Sequence, residues 1–245
     1  LPLTQDDVRI SGHAIEVRLC AEEPADDFLP RSGPVLDWRP EPLARCDHAL
    51  APGMAVSPHY DSMLAKLIAH GATRAEALDR LALALDRTAL LGVPSNRAFL
   101  ARVLRHPAFA DGAAVSTGFI GRHFPAGADR ADAPDATTWW LAAWLSVAAA
   151  PESAAFHTHG WSNWNNGRAL PAPWRLRWRA PQSFASASET ERAGEVRLTP
   201  GGAVLGAGGA AATARGTPVA PCIDGEAEID GTAIAYRYAW DGATL

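Results

Sequence analysis

The sequence has few cysteines and no long apolar run. Its 245 residues include three cysteines, Cys20, Cys46 and Cys222, with no CxxC pair among them. This scarcity argues against a disulfide framework and a thiolate zinc site, and we expect a reducing, cytoplasmic setting. The longest apolar run, 139–150 (WWLAAWLSVAAA), is much shorter than the roughly 20 residues that span a bilayer, so we expect no membrane helix.

The chain also lacks an excess of positive charge. Its formal net charge is -5 at pH 7. Proteins that bind the phosphates of nucleic acid carry a clustered basic surface, whereas Arg175, Arg177 and Arg179 alternate with apolar residues as on a strand. We therefore expect neither nucleic acid nor a membrane among its partners.

The first 125 residues have the pattern of a mixed α+β unit. Residues 12–20 alternate strictly between apolar and polar side chains, which predicts a strand with one buried face. Thr73 and Glu76 form a capping-box pattern, and the leucines that follow at helical spacing predict a helix that continues towards Gly92. Two shorter helices are predicted, one from Ser95 to a stop at Pro107 and one over 117–124.

A change of composition divides the chain. Residues 126–134 (AGADRADAP) resemble a linker, so we expect one domain at 1–125 and another at 135–245. A helix is predicted over 135–150, and its tryptophans and leucines cover most of its circumference. The remainder alternates as strands do, with hairpin turns at 200–202, 230–231 and 241–242. The expected second domain is an antiparallel β-barrel wrapped around this hydrophobic helix.

Several patterns in the sequence have both a catalytic and a structural interpretation. The string 206–209 (GAGG) has neither a strand before it nor a helix after it, which argues against a phosphate-binding loop. His157 and His159 lack a nearby third ligand, so a surface loop is favoured over a metal site. Glu22 and Glu23 are either an acid/base pair or two carboxylates that cap a turn.

Glu16 and Arg18 lie on the polar face of the first predicted strand. Period-2 geometry places both side chains on one side, where the carboxylate of Glu16 is able to orient the guanidinium of Arg18 towards an anion. The alternative is an ordinary salt bridge at a strand edge. Spacing alone leaves both interpretations open.

Three separated strings resemble the C-terminal part of biotin carboxylases. They are 12–24 (GHAIEVRLCAEEP) with Phe28-Leu29-Pro30 and Ser32-Gly33, then 58–68 (PHYDSMLAKLI), then 92–96 (GVPSN). They occur in the order of that family and cover roughly residues 1–125. The resemblance implies an ATP-grasp reaction, in which ATP activates bicarbonate and the biotin of a carrier domain is carboxylated.

The resemblance also assigns roles to individual residues. The arginine of the family that matches Arg18 binds bicarbonate and stabilises the biotin enolate, which makes Arg18 the candidate catalytic residue. Glu16 and Asp61 are candidates for groups that hold the local geometry. For Asp61 the alternative is a turn or helix cap within Tyr60-Asp61-Ser62.

Parts of the family pattern are missing from this chain. The resemblance implies that the residues that bind ATP and Mg belong to a region that precedes the matched one, so the chain alone is expected to be inactive. The single lysine, Lys66, lies inside a carboxylase string. The biotin cofactor is therefore expected on a carrier domain that is not in this chain.

Residues 135–245 resemble, as a pattern of elements, the domain that joins the carboxylase to the carrier in the biotin-bearing subunits of propionyl-, methylcrotonyl- and geranyl-CoA carboxylases. That resemblance implies docking onto the carboxyltransferase beta subunit. Phe156, Trp161 and Trp164 are the candidate docking residues, because aromatic anchors dominate interface energetics. They have a structural alternative, the closure of the barrel end. For the whole chain, the alternative function is a non-catalytic assembly module with a carboxylase-like fold.

Overall fold

A computed structural model describes most of the chain as two compact units, Leu1–Arg130 and Ala131–Leu245. The described residues are 2–113, 115–125, 135–148, 172–179, 189–199, 202–207, 210–215, 222–229 and 231–239. The strands of the first unit are β1 His13–Cys20, β2 Glu22–Glu23, β3 Leu29–Pro30, β4 Gly33–Pro34, β5 Asp37–Arg39, β6 Arg45–His48, β7 Ala55–Val56, β8 Met63–Gly71 and β9 Ala89–Leu91. Its helices are α1 Arg74–Arg87, α2 Arg97–Arg105, α3 Pro107–Asp111 and α4 Phe119–His123, with 3-10 turns at Gln5–Asp7 and Pro24–Asp26.

The central feature of the first unit is a three-stranded antiparallel sheet in the order β1-β8-β6. Its inner face packs against α1 in the main apolar core. Leu19 and Leu67 from the sheet and Leu81 and Leu85 from the helix are all 0% exposed. Each leucine buried in this way contributes about 1.5–3 kcal/mol of transfer free energy, so this layer is the main stabilising contact of the unit.

Thr73 starts α1 as the capping-box pattern predicted. Its hydroxyl accepts a hydrogen bond from the backbone N–H of Glu76 at 3.2 Å. The carboxylate of Glu76 returns to the N–H of Ala72 at 2.7 Å, one residue before the cap. The helix ends at Arg87 rather than near Gly92, because residues 89–91 pair with β5 as strand β9.

The second predicted helix differs at its start. Helix α2 begins at Arg97, with Asn96 rather than Ser95 as the residue before it, and it ends at Arg105. Pro107 does stop α2, and it also opens α3 in the first helical position, where its missing N–H costs nothing. The third predicted helix is present as α4.

The second unit contains helix α5, Ala136–Ala148, and a six-stranded sheet. The strands pair in chain order and antiparallel: β10 Ala172–Arg179, β11 Glu189–Thr199, β12 Gly202–Ala207, β13 Ala210–Arg215, β14 Cys222–Ile229 and β15 Thr232–Ala239. Helix α5 contacts β10 to β14. Trp139, Ala143 and Leu145 are 4%, 0% and 2% exposed, as expected for an enclosed apolar helix.

The antiparallel sheets and helices of the expected α+β fold are therefore present. Within the described strands, pairing runs from β10 to β15 and no pair joins these two ends, so a closed barrel stays a prediction. Strands β14 and β15 pair up to Ile229 opposite Thr232, and Gly231 has a φ of +80°. No helix in the described part of the chain is long and apolar enough to cross a membrane.

Candidate functional site on the outer face of the β1-β8-β6 sheet

Strands β1 and β8 each bury one face and expose the other. On β1 the apolar side chains of Ile15, Val17 and Leu19 are 9%, 8% and 0% exposed. Because side chains alternate along a strand, Glu16 and Arg18 lie on the opposite, exposed face. The strict alternation in the sequence predicted this arrangement correctly.

The register of β1 against β8 brings a second cation beside Arg18. Arg18 lies directly opposite Lys66, and Glu16 lies opposite Ile68. The Nζ of Lys66 is 3.6 Å from Oε2 of Glu16, across the diagonal of the strand pair. The structure therefore pairs Glu16 with Lys66, and not with Arg18 as the spacing suggested.

The guanidinium of Arg18 is left available by this pairing. Its side chain is exposed, and among the residues that the structure describes it has no hydrogen-bond or ion-pair partner. A guanidinium presents several N–H donors in a planar fork that matches the oxygens of a carboxylate or bicarbonate. The outer face of the sheet thus carries an exposed guanidinium.

Strand β6 adds a self-contained ion pair to the same sheet. Nε and Nη2 of Arg45 each donate to the carboxylate of Asp47 at 3.0 Å. These bonds hold the pKa of Asp47 below its usual value, and the nearby charges of Arg45 and of Lys66, its cross-strand neighbour, act in the same direction. Asp47 and Glu16 therefore both contribute negative charge near Lys66.

The free edge of β1 is held by Asn96, which precedes α2. The N–H of Cys20 donates to Oδ1 of Asn96 at 2.9 Å, and Nδ2 of Asn96 donates to the carbonyl of Arg18 at 3.2 Å. The N–H of Asn96 also donates to the carbonyl of Cys20 at 3.1 Å. The main chain on both sides of Leu19 is thereby fixed.

Asp61 lies in the loop that leads into β8, beside the end of β1. Its Oδ1 accepts from the N–H of Met63 at 2.9 Å, which is a turn-capping bond. The hydroxyl of its neighbour Ser62 donates to Glu22 at 2.6 Å, and the N–H of Ala21 donates to the carbonyl of Ser62 at 2.7 Å. Asp61 is thus on a loop tied to the residues that directly follow β1, and its exposed carboxylate caps the turn.

Glu22 and Glu23 do not act together. Glu22 accepts from Ser62, whereas Glu23 is 6% exposed and accepts from the N–H of Ala25 at 3.3 Å. Burial raises the pKa of Glu23, and the bond from Ala25 and the charge of Arg31 oppose that rise. These contacts agree with the interpretation that the two carboxylates cap turns, because each one accepts a hydrogen bond from a different neighbour.

The remaining candidates fall outside the described residues. Phe156, Trp161 and Trp164 lie there, as do His157 and His159, so the docking prediction stays untested. Within the described ranges, no three His, Cys, Asp or Glu side chains are grouped to hold a metal ion. Lys66, the single lysine of the sequence, is ion-paired with Glu16.

Sequence reasoning missed the roles of Lys66, Asn96 and Ser62. Lys66 is 50 positions from Glu16, and only the register of β1 with β8 brings them together. Asn96 precedes a helix, where an asparagine ordinarily indicates an N-cap. For Ser62 the available signal is its place beside Asp61 in the second carboxylase-like string.

Comparison with known proteins identifies the first unit. Residues 16–122 match the family model of the biotin carboxylase C-terminal domain. This segment belongs to that family. The biotin carboxylase C-terminal domain thus includes Glu16, Arg18, Asp61 and Asn96, and it ends before the second unit begins.

Relatives of this biotin carboxylase C-terminal domain share the same half of the chain. The alpha subunit of mitochondrial methylcrotonoyl-CoA carboxylase from Arabidopsis thaliana is 42% identical over 126 residues, which are 50% of this chain and 17% of that protein. Biotin carboxylase from a Nostoc species is 40% identical over 122 residues, 49% of this chain and 27% of that protein. The chain therefore spans about a sixth to a quarter of the length of these relatives.

A solved structure supports the same fold. Pyruvate carboxylase of Rhizobium etli, with its allosteric activator acetyl coenzyme A, superposes with a TM-score of 0.51 at 28% identity. The match covers 59% of this chain and 14% of that protein.

Proposed function

We propose that the chain is part of the biotin carboxylase component of a biotin-dependent acyl-CoA carboxylase. The observation that carries this proposal is the exposed guanidinium of Arg18, on the outer face of the β1-β8-β6 sheet of a biotin carboxylase C-terminal domain. The relatives named above support it, because they include a methylcrotonoyl-CoA carboxylase subunit and a biotin carboxylase.

In this proposal Arg18 binds the anions of the reaction. Its N–H donors match two oxygens of bicarbonate, and they also match the oxygen that becomes negative when the ureido group of biotin is deprotonated. ATP, held with Mg by residues outside this chain, supplies the activation of bicarbonate. Arg18 contributes a fixed positive charge that needs no reorganisation as the negative charge develops.

Lys66 and Glu16 set the charge around Arg18. An unpaired ammonium beside the guanidinium would repel it and would compete for the same anion. The carboxylate of Glu16, 3.6 Å from Nζ, offsets the charge of Lys66. In this account Glu16 acts on the site through Lys66, and Asp61 acts through the loop that it caps.

The second unit is proposed to dock the carboxyltransferase beta subunit, with Phe156, Trp161 and Trp164 as anchors, and its sheet is proposed to close into a barrel around α5. The support is the antiparallel sheet that contacts an apolar helix, together with the aromatic content of 151–166. The biotin carboxyl carrier domain is the other proposed partner. We place the protein in the cytoplasm, on the basis of its few cysteines.

Biotin-dependent ATP hydrolysis tests the catalytic part of the proposal. The complete carboxylase subunit that contains this chain is compared with its Arg18→Ala variant, and Arg87→Ala, an exposed arginine of α1, is the matched control. We expect a loss of at least about a hundredfold for Arg18→Ala and near-normal activity for Arg87→Ala. Normal activity of Arg18→Ala would favour the alternative of a non-catalytic assembly module.

A pull-down tests the docking part separately. The beta subunit is expected to bind the complete subunit and to lose binding when residues 135–245 are removed. Unchanged binding after that deletion would contradict the docking role and leave the catalytic proposal standing. Replacement of Phe156, Trp161 and Trp164 by alanine then tests the anchors themselves.

A further inference from the structure

Asn96 is a buried polar residue whose side chain is directed away from its own helix. It is 6% exposed and occupies the position before α2, yet its side chain makes no capping bond to that helix. An asparagine at this position ordinarily accepts a hydrogen bond from an N–H of the first turn and so stabilises the helix. The carboxamide of Asn96 is used elsewhere.

Both ends of the carboxamide bind the main chain of β1. Oδ1 accepts from Cys20 at 2.9 Å, and Nδ2 donates to the carbonyl of Arg18 at 3.2 Å. With the N–H of Asn96 on the carbonyl of Cys20, three hydrogen bonds converge on two residues of one strand. The carboxamide therefore pairs with β1 as the peptide group of a neighbouring strand would.

These bonds lie beside an irregularity in the pairing of β1 with β8. Strand β1 is an edge of its sheet, and its pairing with β8 shifts register between Leu19 and Cys20. Such a bulge interrupts the ladder of hydrogen bonds that fixes a strand. The peptide that follows Arg18 is therefore held on one side by β8 and on the other by Asn96.

We propose that Asn96 is a positioning residue for the reaction, which holds the main chain of Arg18 so that its guanidinium meets the anion at a fixed place. This inference rests on the proposed function. The guanidinium sits at the end of a long side chain, so a small rotation of the peptide at Arg18 is magnified at the donor atoms. A misplacement of about 1 Å costs on the order of a hundredfold in rate.

If Asn96 had only a structural role, its loss would affect activity no more than the loss of another tether of the same segment. Arg97 is such a tether and is the matched control. Nη1 of Arg97 donates to the carbonyl of Leu85 at 2.6 Å, which anchors the start of α2 to the end of α1. Asn96 and Arg97 thus tether the same segment, but the side-chain hydrogen bonds of Asn96 go to β1 and those of Arg97 go to the end of α1. Arg97→Met removes a tether without touching the main chain of Arg18.

A double-mutant cycle in the complete carboxylase subunit tests the inference. The variants are Asn96→Leu, Asn96→Asp, Arg97→Met, Arg18→Ala and the double variant Arg18→Ala/Asn96→Leu, each assayed below its own melting temperature. Biotin-dependent ATP hydrolysis is measured as kcat and as KM for bicarbonate. We expect Asn96→Leu to lose about 10-fold to 100-fold in kcat/KM beyond any loss in Arg97→Met.

The cycle separates positioning from stability. If Asn96 acts through Arg18, Asn96→Leu has little further effect on the rate once Arg18 is alanine. Asn96→Asp keeps the acceptor for Cys20 and loses the donor to Arg18, so we expect an intermediate loss. Equal losses in Asn96→Leu and Arg97→Met, or an undiminished effect of Asn96→Leu in the Arg18→Ala background, would overturn the inference.

Failure of the proposed function has its own signature in this experiment. If Arg18→Ala alone retains near-normal activity, the function proposed for Arg18 is wrong, and the inference on Asn96 is overturned with it. If Arg18→Ala is inactive while Asn96→Leu matches Arg97→Met, the proposed function stands and only the positioning role is overturned.

Discussion

The ammonium of Lys66 lies 3.6 Å from the carboxylate of Glu16, on the neighbouring strand. Direct register places Arg18 beside the same lysine. The three charges share the exposed face of the sheet, and Lys66 is diagonal to Glu16 and directly opposite Arg18. The carboxylate of Glu16 is ion-paired with Lys66. The guanidinium of Arg18 is therefore available to bind an anionic ligand.

The first prediction concerns this ion pair. Both side chains are more than a third exposed, at 37% for Lys66 and 41% for Glu16, so solvent screens the attraction. We expect Glu16→Gln to lower the free energy of unfolding by less than about 1 kcal/mol. Urea denaturation at about 0.05 M and about 0.5 M salt measures the free energy of unfolding of Glu16→Gln and of wild type. We expect the difference between the two proteins to be smaller at the higher salt. A loss above about 2 kcal/mol, unaffected by salt, would contradict this account.

A second prediction compares two glycines with positive φ. Gly92 has a φ of +101°, and an added Cβ would meet the carbonyl of Pro34 and approach the N of Leu36 at 2.9 Å. Gly53 has a φ of +87° with nothing within 4 Å of the same atom. We expect Gly53→Ala to cost about 1–2 kcal/mol from the backbone alone, and Gly92→Ala about 3 kcal/mol because the clash is added.

Denaturation curves of the two glycine variants check this comparison. Gly53→Ala is the control, because it has the same unfavourable backbone region without the steric contact. Similar losses in the two variants would mean that the close approach of residues 34–36 to Gly92 is relieved at little cost. Gly92 begins the loop that carries Asn96, so Gly92→Ala is also expected to reduce biotin-dependent ATP hydrolysis.

The third prediction is a pH dependence that arises from Glu23. Burial raises the pKa of this carboxyl in the folded protein, so the folded state favours its protonated form. The resulting stability is fully present below the unfolded pKa and is lost as pH rises through the folded pKa. We expect Glu23→Gln, a neutral group that still accepts from Ala25, to gain stability relative to wild type as pH rises from about 4 to about 7.

Chemical denaturation of wild type and Glu23→Gln across that range measures the difference. Exposed Asp47 is a control in which stability depends on pH in the opposite direction. Its pKa is lowered in the folded protein, so its charged form stabilises the fold above the unfolded pKa, and this stabilisation is lost at low pH. A stability difference for Glu23→Gln that is constant with pH would contradict the raised pKa.

The sequence predicts those parts of the fold that depend on local pattern. The alternation over 12–20 predicts β1 and its two faces, and Thr73 with Glu76 predicts the start of α1, because each signal lies within a few residues. Helix α1 ends earlier than the leucine spacing predicts, because residues 89–91 pair with β5. That pairing involves residues about 50 positions apart, which no local pattern contains.

The candidate site is predictable only in part, for the same reason. Arg18 stands out on its strand and in a family string, but its neighbours come from elsewhere in the chain. Lys66 reaches Glu16 through strand register, and Asn96 holds β1 instead of its own helix. An asparagine before a helix favours a cap, and only tertiary contact decides that its hydrogen bonds are made to another element.

The most direct test of the central claim is the transfer of labelled bicarbonate to biotin. The complete carboxylase subunit is supplied with ATP, Mg and biotin, and label fixed on biotin is measured for wild type, Arg18→Ala, Arg18→Lys and the control Arg87→Ala. The account predicts a loss of at least about a hundredfold for Arg18→Ala and a substantial loss for Arg18→Lys, which keeps the charge without the planar fork. Near-normal transfer by Arg18→Ala, with Arg87→Ala also normal, would contradict it.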